Sequence, residues 1–279
     1  STSTTSTSTS TTSTTSTTTT TQPTTTTPPV TQQPTTTTTA PTTTTTTPPT
    51  GSGLVPGLFG TWSAFTTQVL TDFTGSAPKA WVDADAATLA HGRSPGAYLV
   101  AVRRGTDARL NTDPVLRLYR AYFGRPPSPK ELDFWVGQRR KGVSLFVISD
   151  AFARSSEFAR RHGKLSNTKY VNFVLTTVGR GRPPTSAVTS WVDLLDAHVL
   201  TRGQVMALQT EGAAYKRETL PWVDVVATWI AMLDRAPKAS ELTSTVARLD
   251  GGTPLQTIMD EILGSAEYRA RFMLHPTGG

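Results

Sequence analysis

Two stretches of this chain, Asp113 to Arg161 and Val223 to Phe272, align without a gap, and no other feature constrains its fold so tightly. Val225, Trp229, Met232 and Leu233 fall where Val115, Tyr119, Tyr122 and Phe123 stand. Arg235 and Pro237 match Arg125 and Pro127, Glu241-Leu242 matches Glu131-Leu132, and Gly252 matches Gly142. Leu255, Ile258 and Ile262 match Leu145, Ile148 and Phe152, and Ser265-Ala266-Glu267-Tyr268 matches Ser155-Ser156-Glu157-Phe158. A stripe, a breaker and a closing turn recurring in one order mark a repeat architecture, in which each copy covers its neighbour's apolar side.

Each copy reads as helices. Val115, Leu118, Tyr119 and Tyr122 recur at i, i+3, i+4 and i+7, with Asp113 expected as the cap and Pro114 in the first turn. Gly124-Arg125-Pro126-Pro127 stops that helix. Ser128-Pro129-Lys130-Glu131 has the form of a capping box, and Leu132, Trp135 and Val136 form the buried face after it. Arg139, Arg140 and Lys141 place positive charge at the negative end of the helix dipole before Gly142 ends it. Ser144 caps a third helix carrying Leu145, Ile148 and Phe152.

Weaker copies fill the rest. Trp62, Phe65, Val69 and Phe73 open one, and Val171, Val174, Leu175 and Val178 open another. The expected fold class is therefore all-α, a helical array of tandem three-helix repeats behind an extended Thr/Ser/Pro-rich stalk. Its divisions are 1–57 for the stalk, 58–112 for a degenerate first repeat, and 113–164 and 165–219 for the second and third. The fourth repeat and a tail take 220–279, and Gly51 to Gly60 reads as a Gly/Pro hinge.

Residues 1 to about 50 are almost entirely Thr, Ser, Pro and Gln, with no charge and no aromatic. Such a segment has too little apolar surface to offset its chain entropy. Ser/Thr tracts with Pro are substrates for O-glycosylation, and crowded sugars hold a chain extended, to on the order of 150 Å here; the alternative is a plain disordered linker. Candidate glycan acceptors are Thr17, Thr18, Thr19, Thr20, Thr24, Thr25, Thr35, Thr36, Thr43 and Thr44. A start at Ser1 without Met, signal peptide or transmembrane run is expected of a processed product or a fragment. Cysteine is absent, so the stalk, rather than any disulfide framework, places the expected location outside the cell.

At Leu118-Tyr119-Arg120, Phe123-Gly124-Arg125-Pro126-Pro127, Leu132-Asp133-Phe134-Trp135-Val136 and Ser155-Ser156-Glu157-Phe158 the chain resembles the bacterial domain family of unknown function number 4214. The likeness is strong from Asp113 to Arg161 and fair from Val223 to Phe272. It implies an all-helical module of secreted and cell-surface bacterial proteins, and no catalytic residues. Asp234 in place of Gly124 and Thr245 in place of Trp135 depart from the pattern.

No residue pattern announces a reaction. His91, His162, His198 and His275 are scattered, without ligand spacing. Asp193 with Asp196, and Asp260 with Glu261, read as exposed helix-face charges. Gly179-Arg180-Gly181-Arg182 lacks the end of a phosphate loop and reads as a turn. The tryptophans sit on helical stripes and are expected in the core, with Trp222, beside Pro221, as the exception free to meet a ligand. The net charge of +7 lies wholly after the stalk, and Arg139 and Arg140 are the basic pair singled out as ligand or assembly contacts. No cofactor, metal, nucleic acid or membrane span is expected.

The expectation is thus a non-catalytic extracellular structural protein. It self-associates as a homo-oligomer or polymer in a fibre, pilus-like filament or surface layer, through leftover apolar faces of the first and last repeats. The alternative is a module targeting a larger secreted protein to acidic glycopolymers, polysaccharide or cell wall.

Overall fold

A computed structural model describes residues 54–273 of the chain, with side chains from residue 57 onward. Among these residues every regular element is helical and no strand occurs. In chain order the helices are α1 (Leu54–Phe59), α2 (Trp62–Thr74), α3 (Lys79–Ala90) and α4 (Pro95–Arg103). A π-helical turn, Ala108–Thr112, runs into α5 (Asp113–Phe123), followed by α6 (Pro129–Arg140), α7 (Leu145–Ala153) and α8 (Ser156–His162). The second part holds α9 (Asn167–Gly179), α10 (Thr185–Asp196), α11 (Arg202–Thr210) and the long α12 (Ala213–Leu233). It ends with α13 (Ala239–Asp250), α14 (Leu255–Leu263) and α15 (Ala266–Met273).

Helix lengths recur with little variation. α3, α6, α10 and α13 each have 12 residues, and α4, α7, α11 and α14 each have 9. The break after the first helix of each segment is a left-handed residue, Gly75, Gly124, Arg180 or Asp234. A second left-handed residue ends each 12-residue helix region: Gly92, Gly142, His198 and Gly252. Three of these are glycine, which has no Cβ to meet the following carbonyl; His198 holds the same conformation, at φ 58, against that contact. The capping box at Ser128 and Glu131 forms as its spacing predicts, and Ser94, Ser144 and Thr201 cap three of the four 9-residue helices.

The order of packing differs from a linear stack. α4 packs on α14 and α7 packs on α11, while α5 and α12 lie against each other in the middle. Two cores result. One joins α5–α8 to α9–α11 around Leu116, Tyr122, Ile148, Val174 and Met206. The other joins α2–α4 to the end of α12, α14 and α15 around Phe65, Leu99, Met232, Ile258 and Tyr268. Burial of each such side chain contributes roughly 1.5–3 kcal/mol. The first and last segments therefore cover one another, and the end faces expected to serve as adhesive surfaces are occupied within the molecule.

Local expectations also change. The closing turn at Ser155-Ser156-Glu157-Phe158 is a helix of its own, α8, capped by Ser155, so a segment has four helices rather than three. The boundary expected between residues 219 and 220 falls inside α12, which continues through Pro221. Asp113 caps nothing, because the π turn runs into α5 without a break. Residues 54–59, expected as hinge, form α1, and the Phe59 ring packs 5.4 Å from Phe65 and 4.8 Å from Phe272.

Candidate functional site

The densest set of buried charges lies where the first part of the chain, 62–162, meets the second, 167–273. Arg103, the last residue of α4, is 1% exposed, and its Nη1 donates to Asp113 Oδ1 at 2.8 Å. Its Nη2 lies 3.2 Å from Oδ1 of Asp224, itself 1% exposed on α12. Arg104 Nη2 donates to the other oxygen of Asp224 at 2.6 Å. Across the molecule, Arg117 on α5 donates through Nε to Glu211 Oε1 at 2.8 Å, and Lys216 reaches the second oxygen of Glu211 at 2.8 Å. Burial pushes the Asp113 carboxyl up, while Arg103 and Arg117 hold it down. Removing one partner of such a buried pair costs about 3–5 kcal/mol, since the other charge is left uncompensated.

Beside this junction is a cavity of about 40 Å³ lined by Asp72, Arg103, Thr112, Asp133, Arg140 and Ala231 among others, with room for a few water molecules. Arg271 closes on Asp72 with two bonds, at 2.7 and 3.0 Å. Arg140 donates to Asp107 and to the Phe73 carbonyl. Burial raises the Asp72 and Asp133 carboxyls.

Two further constellations repeat. Arg125 grips Glu131 and Glu157, tying the start of α6 to α8, and Arg235 grips Glu241 and Glu267 in the same way. These guanidinium contacts hold Glu131 and Glu241 down to about 2. Where α11 meets α7, the Asp150 carboxylate accepts from the Gly203 N–H at 3.0 Å and the Thr201 hydroxyl at 3.0 Å. Asp260 on α14 meets Gly96, next to the Ser94 cap of α4, in the same manner. A Cβ on Gly203 would overlap the Asp150 backbone, so the close approach requires glycine there, while a Cβ on Gly96 would meet the Asp260 carboxylate alone. Inside the larger core, Tyr122 shares hydroxyl contacts with Ser149 and Tyr170, and burial pushes its phenol up to about 12, which keeps it neutral.

The residues singled out in the sequence fare unevenly. Trp222 is 8% exposed in the core under the Arg120 guanidinium, so it is not the exposed exception; Trp81, at 56%, is. Pro221 continues α12 instead of breaking it, and that turns the Trp222 ring inward. Arg139 and Arg140 face neighbouring segments, Arg139 donating to the carbonyls of Val143 and Leu110. Both make ties within the molecule. Asp260 is likewise a helix-to-helix contact, not a surface charge, while Glu261 pairs with Arg248 on the surface. The candidate glycan threonines, Thr17 to Thr44, lie outside the described residues. Neither Arg103 nor Asp224 belongs to a recognisable motif, although a lone carboxylate in the apolar run Pro221-Trp222-Val223-Asp224-Val225-Val226 is the signal that marks Asp224.

Among the described residues no three His, Asp or Glu side chains gather as metal ligands, and no helix is long and apolar enough to cross a membrane. Compared with protein-family models, curated proteins and solved structures, the chain matched none.

Proposed function

We propose that this chain is a non-catalytic structural protein of the cell exterior, a head of four tandem copies of one helical module borne on a Thr-rich, O-glycosylated stalk. The recurring helix lengths and left-handed breaks support the tandem reading, as does the resemblance of 113–161 to the family of unknown function number 4214. Buried charges work as ties between modules: Arg103, Arg117, Asp113 and Asp224 all face partners within the chain. The head associates with further copies of itself through apolar side chains left on its surface. One observation carries that step: Trp81, Leu110, Phe134, Val147, Val199 and Met273 are each more than half exposed, on a head whose other large apolar groups are mostly covered.

The test is light scattering and negative-stain microscopy of the whole protein at rising concentration. Growing oligomers or filaments, lost on Trp81→Asp and Phe134→Asp, are expected. A monomer at every concentration contradicts the reading. Mass spectrometry of residues 1–50 is expected to find hexose on the threonines. Exposure of the Trp81 ring also favours a second reading, stacking on a cell-wall sugar, which a Trp81→Ala-sensitive pull-down on insoluble wall tests.

A further inference from the structure

The helices of 62–162 and 167–273 correspond one to one up to their central helices: α2 to α9 at 13 residues, α3 to α10 at 12 and α4 to α11 at 9. The series resumes with α6 to α13 at 12 and α7 to α14 at 9. Each half lends its first segment to one core and its second segment to the other. The contacts between them come in matched pairs, α4 on α14 answering α11 on α7. Gly96 against Asp260 answers Gly203 against Asp150.

One matched pair has its signs reversed. The residue capping α4 is Arg104, and the residue capping α11 is Glu211. Each reaches the central helix of the opposite half: Arg104 meets Asp224 on α12, and Glu211 meets Arg117 on α5. Arg117 and Asp224 stand equally far along the chain from their own caps and are 6% and 1% exposed, so water screens neither well.

We propose that the contact between the halves is a heterotypic recognition surface, on which Arg104 and Arg117 of one half accept Asp224 and Glu211 of the other and reject a second copy of their own half. Two first halves would set Arg104 against Arg117, and two second halves would set Glu211 against Asp224. Either arrangement places like charges together twice over, each time against a buried Arg117 or Asp224. The glycine–aspartate crossing carries no such reversal of sign, because each half offers one glycine and one aspartate. Other charges at the contact are Arg103, which joins Asp113 and Asp224, and Lys216, which joins Glu211. The partner of either half is therefore its complement, within the chain or on another molecule that has exchanged halves. This pairing holds whether or not the head assembles further.

The experiment uses the full chain with a protease site inserted in the loop 163–166 between α8 and α9. Cleaved protein and its isotope-labelled counterpart are mixed, unfolded, refolded together and weighed by native mass spectrometry. Light and heavy halves are expected to shuffle freely, with like-half pairs below about one in a hundred. Arg117→Glu with Glu211→Arg keeps both native contacts attractive but gives the two halves the same polarity. In that variant like-half pairs are expected to climb toward about half of all complexes, the statistical mixture. Arg117→Gln with Glu211→Gln, which removes the charges and disturbs folding least, is expected to raise them several-fold. Like-half pairs at statistical abundance in the unmodified protein overturn the proposal. Strict pairing of unlike halves in both variants also overturns it.

Discussion

At the scale of single residues, the side chains that matter most are those whose surroundings conflict with their type. His198 holds a left-handed backbone that its three counterparts fill with glycine, and its Nδ1 bonds only to the nearby Asp196 carbonyl at 2.9 Å. His198→Gly is expected to raise stability by about 0.5–1 kcal/mol, the relief of the Cβ contact outweighing glycine's extra freedom when unfolded. Chemical denaturation measures this, and an unchanged or lowered midpoint contradicts it. Trp222 and Asp113 show where reading single residues from the sequence stops. Pro221 beside Trp222 signals a break, yet a long helix accommodates it, and Asp113-Pro114 has the pattern of a helix start while the chain arrives there already helical. Both depend on what precedes them in space, which local pattern does not encode.

At the scale of elements, much was legible. The capping box, the Gly-Pro breaks and the apolar stripes place α5, α6 and α7 correctly because each signal is satisfied by its own neighbours. What the pattern does not carry is which helix meets which. The glycine at position two of α4 and of α11 is the trace of that contact, and it becomes readable only beside Asp260 and Asp150. Gly203→Ala is expected to lower stability by about 1–3 kcal/mol, because its Cβ meets Asp150 backbone atoms that cannot swing aside. Thermal unfolding that matches the unsubstituted protein would count against this close approach. The arginine clamps predict an acid response. Glu131 and Glu241 fall from an ordinary carboxylate value near 4.5 to about 2 on folding, so the stability they contribute is complete above 4.5 and is lost as pH drops toward 2. Asp72 and Asp113, raised by burial, act in the opposite sense and soften the loss. Melting temperature is expected to fall from pH 5 to pH 2, less steeply in Arg125→Met; a flat profile contradicts the clamps.

For the whole molecule, the recurring stretch points to helices but not to their arrangement. A linear stack and a cross-paired pair of halves use the same stripes, and only the long-range contacts distinguish them. The cross-pairing makes each half incomplete alone, binds the first segment to the last, and leaves the proposed self-association to side chains such as Trp81 and Phe134. The chain has no cysteine, so paired cysteines report on this arrangement without interference. Ser94 Oγ lies 3.2 Å from Gln256 Nε2, and Thr201 Oγ1 lies 3.0 Å from Asp150 Oδ2. The most direct measurement is reaction of Ser94→Cys/Gln256→Cys and of Thr201→Cys/Asp150→Cys with a short bismaleimide. Cross-pairing predicts rapid closure of both links within one molecule, seen as a faster band on a denaturing gel. Links that form only between molecules, or not at all, contradict it.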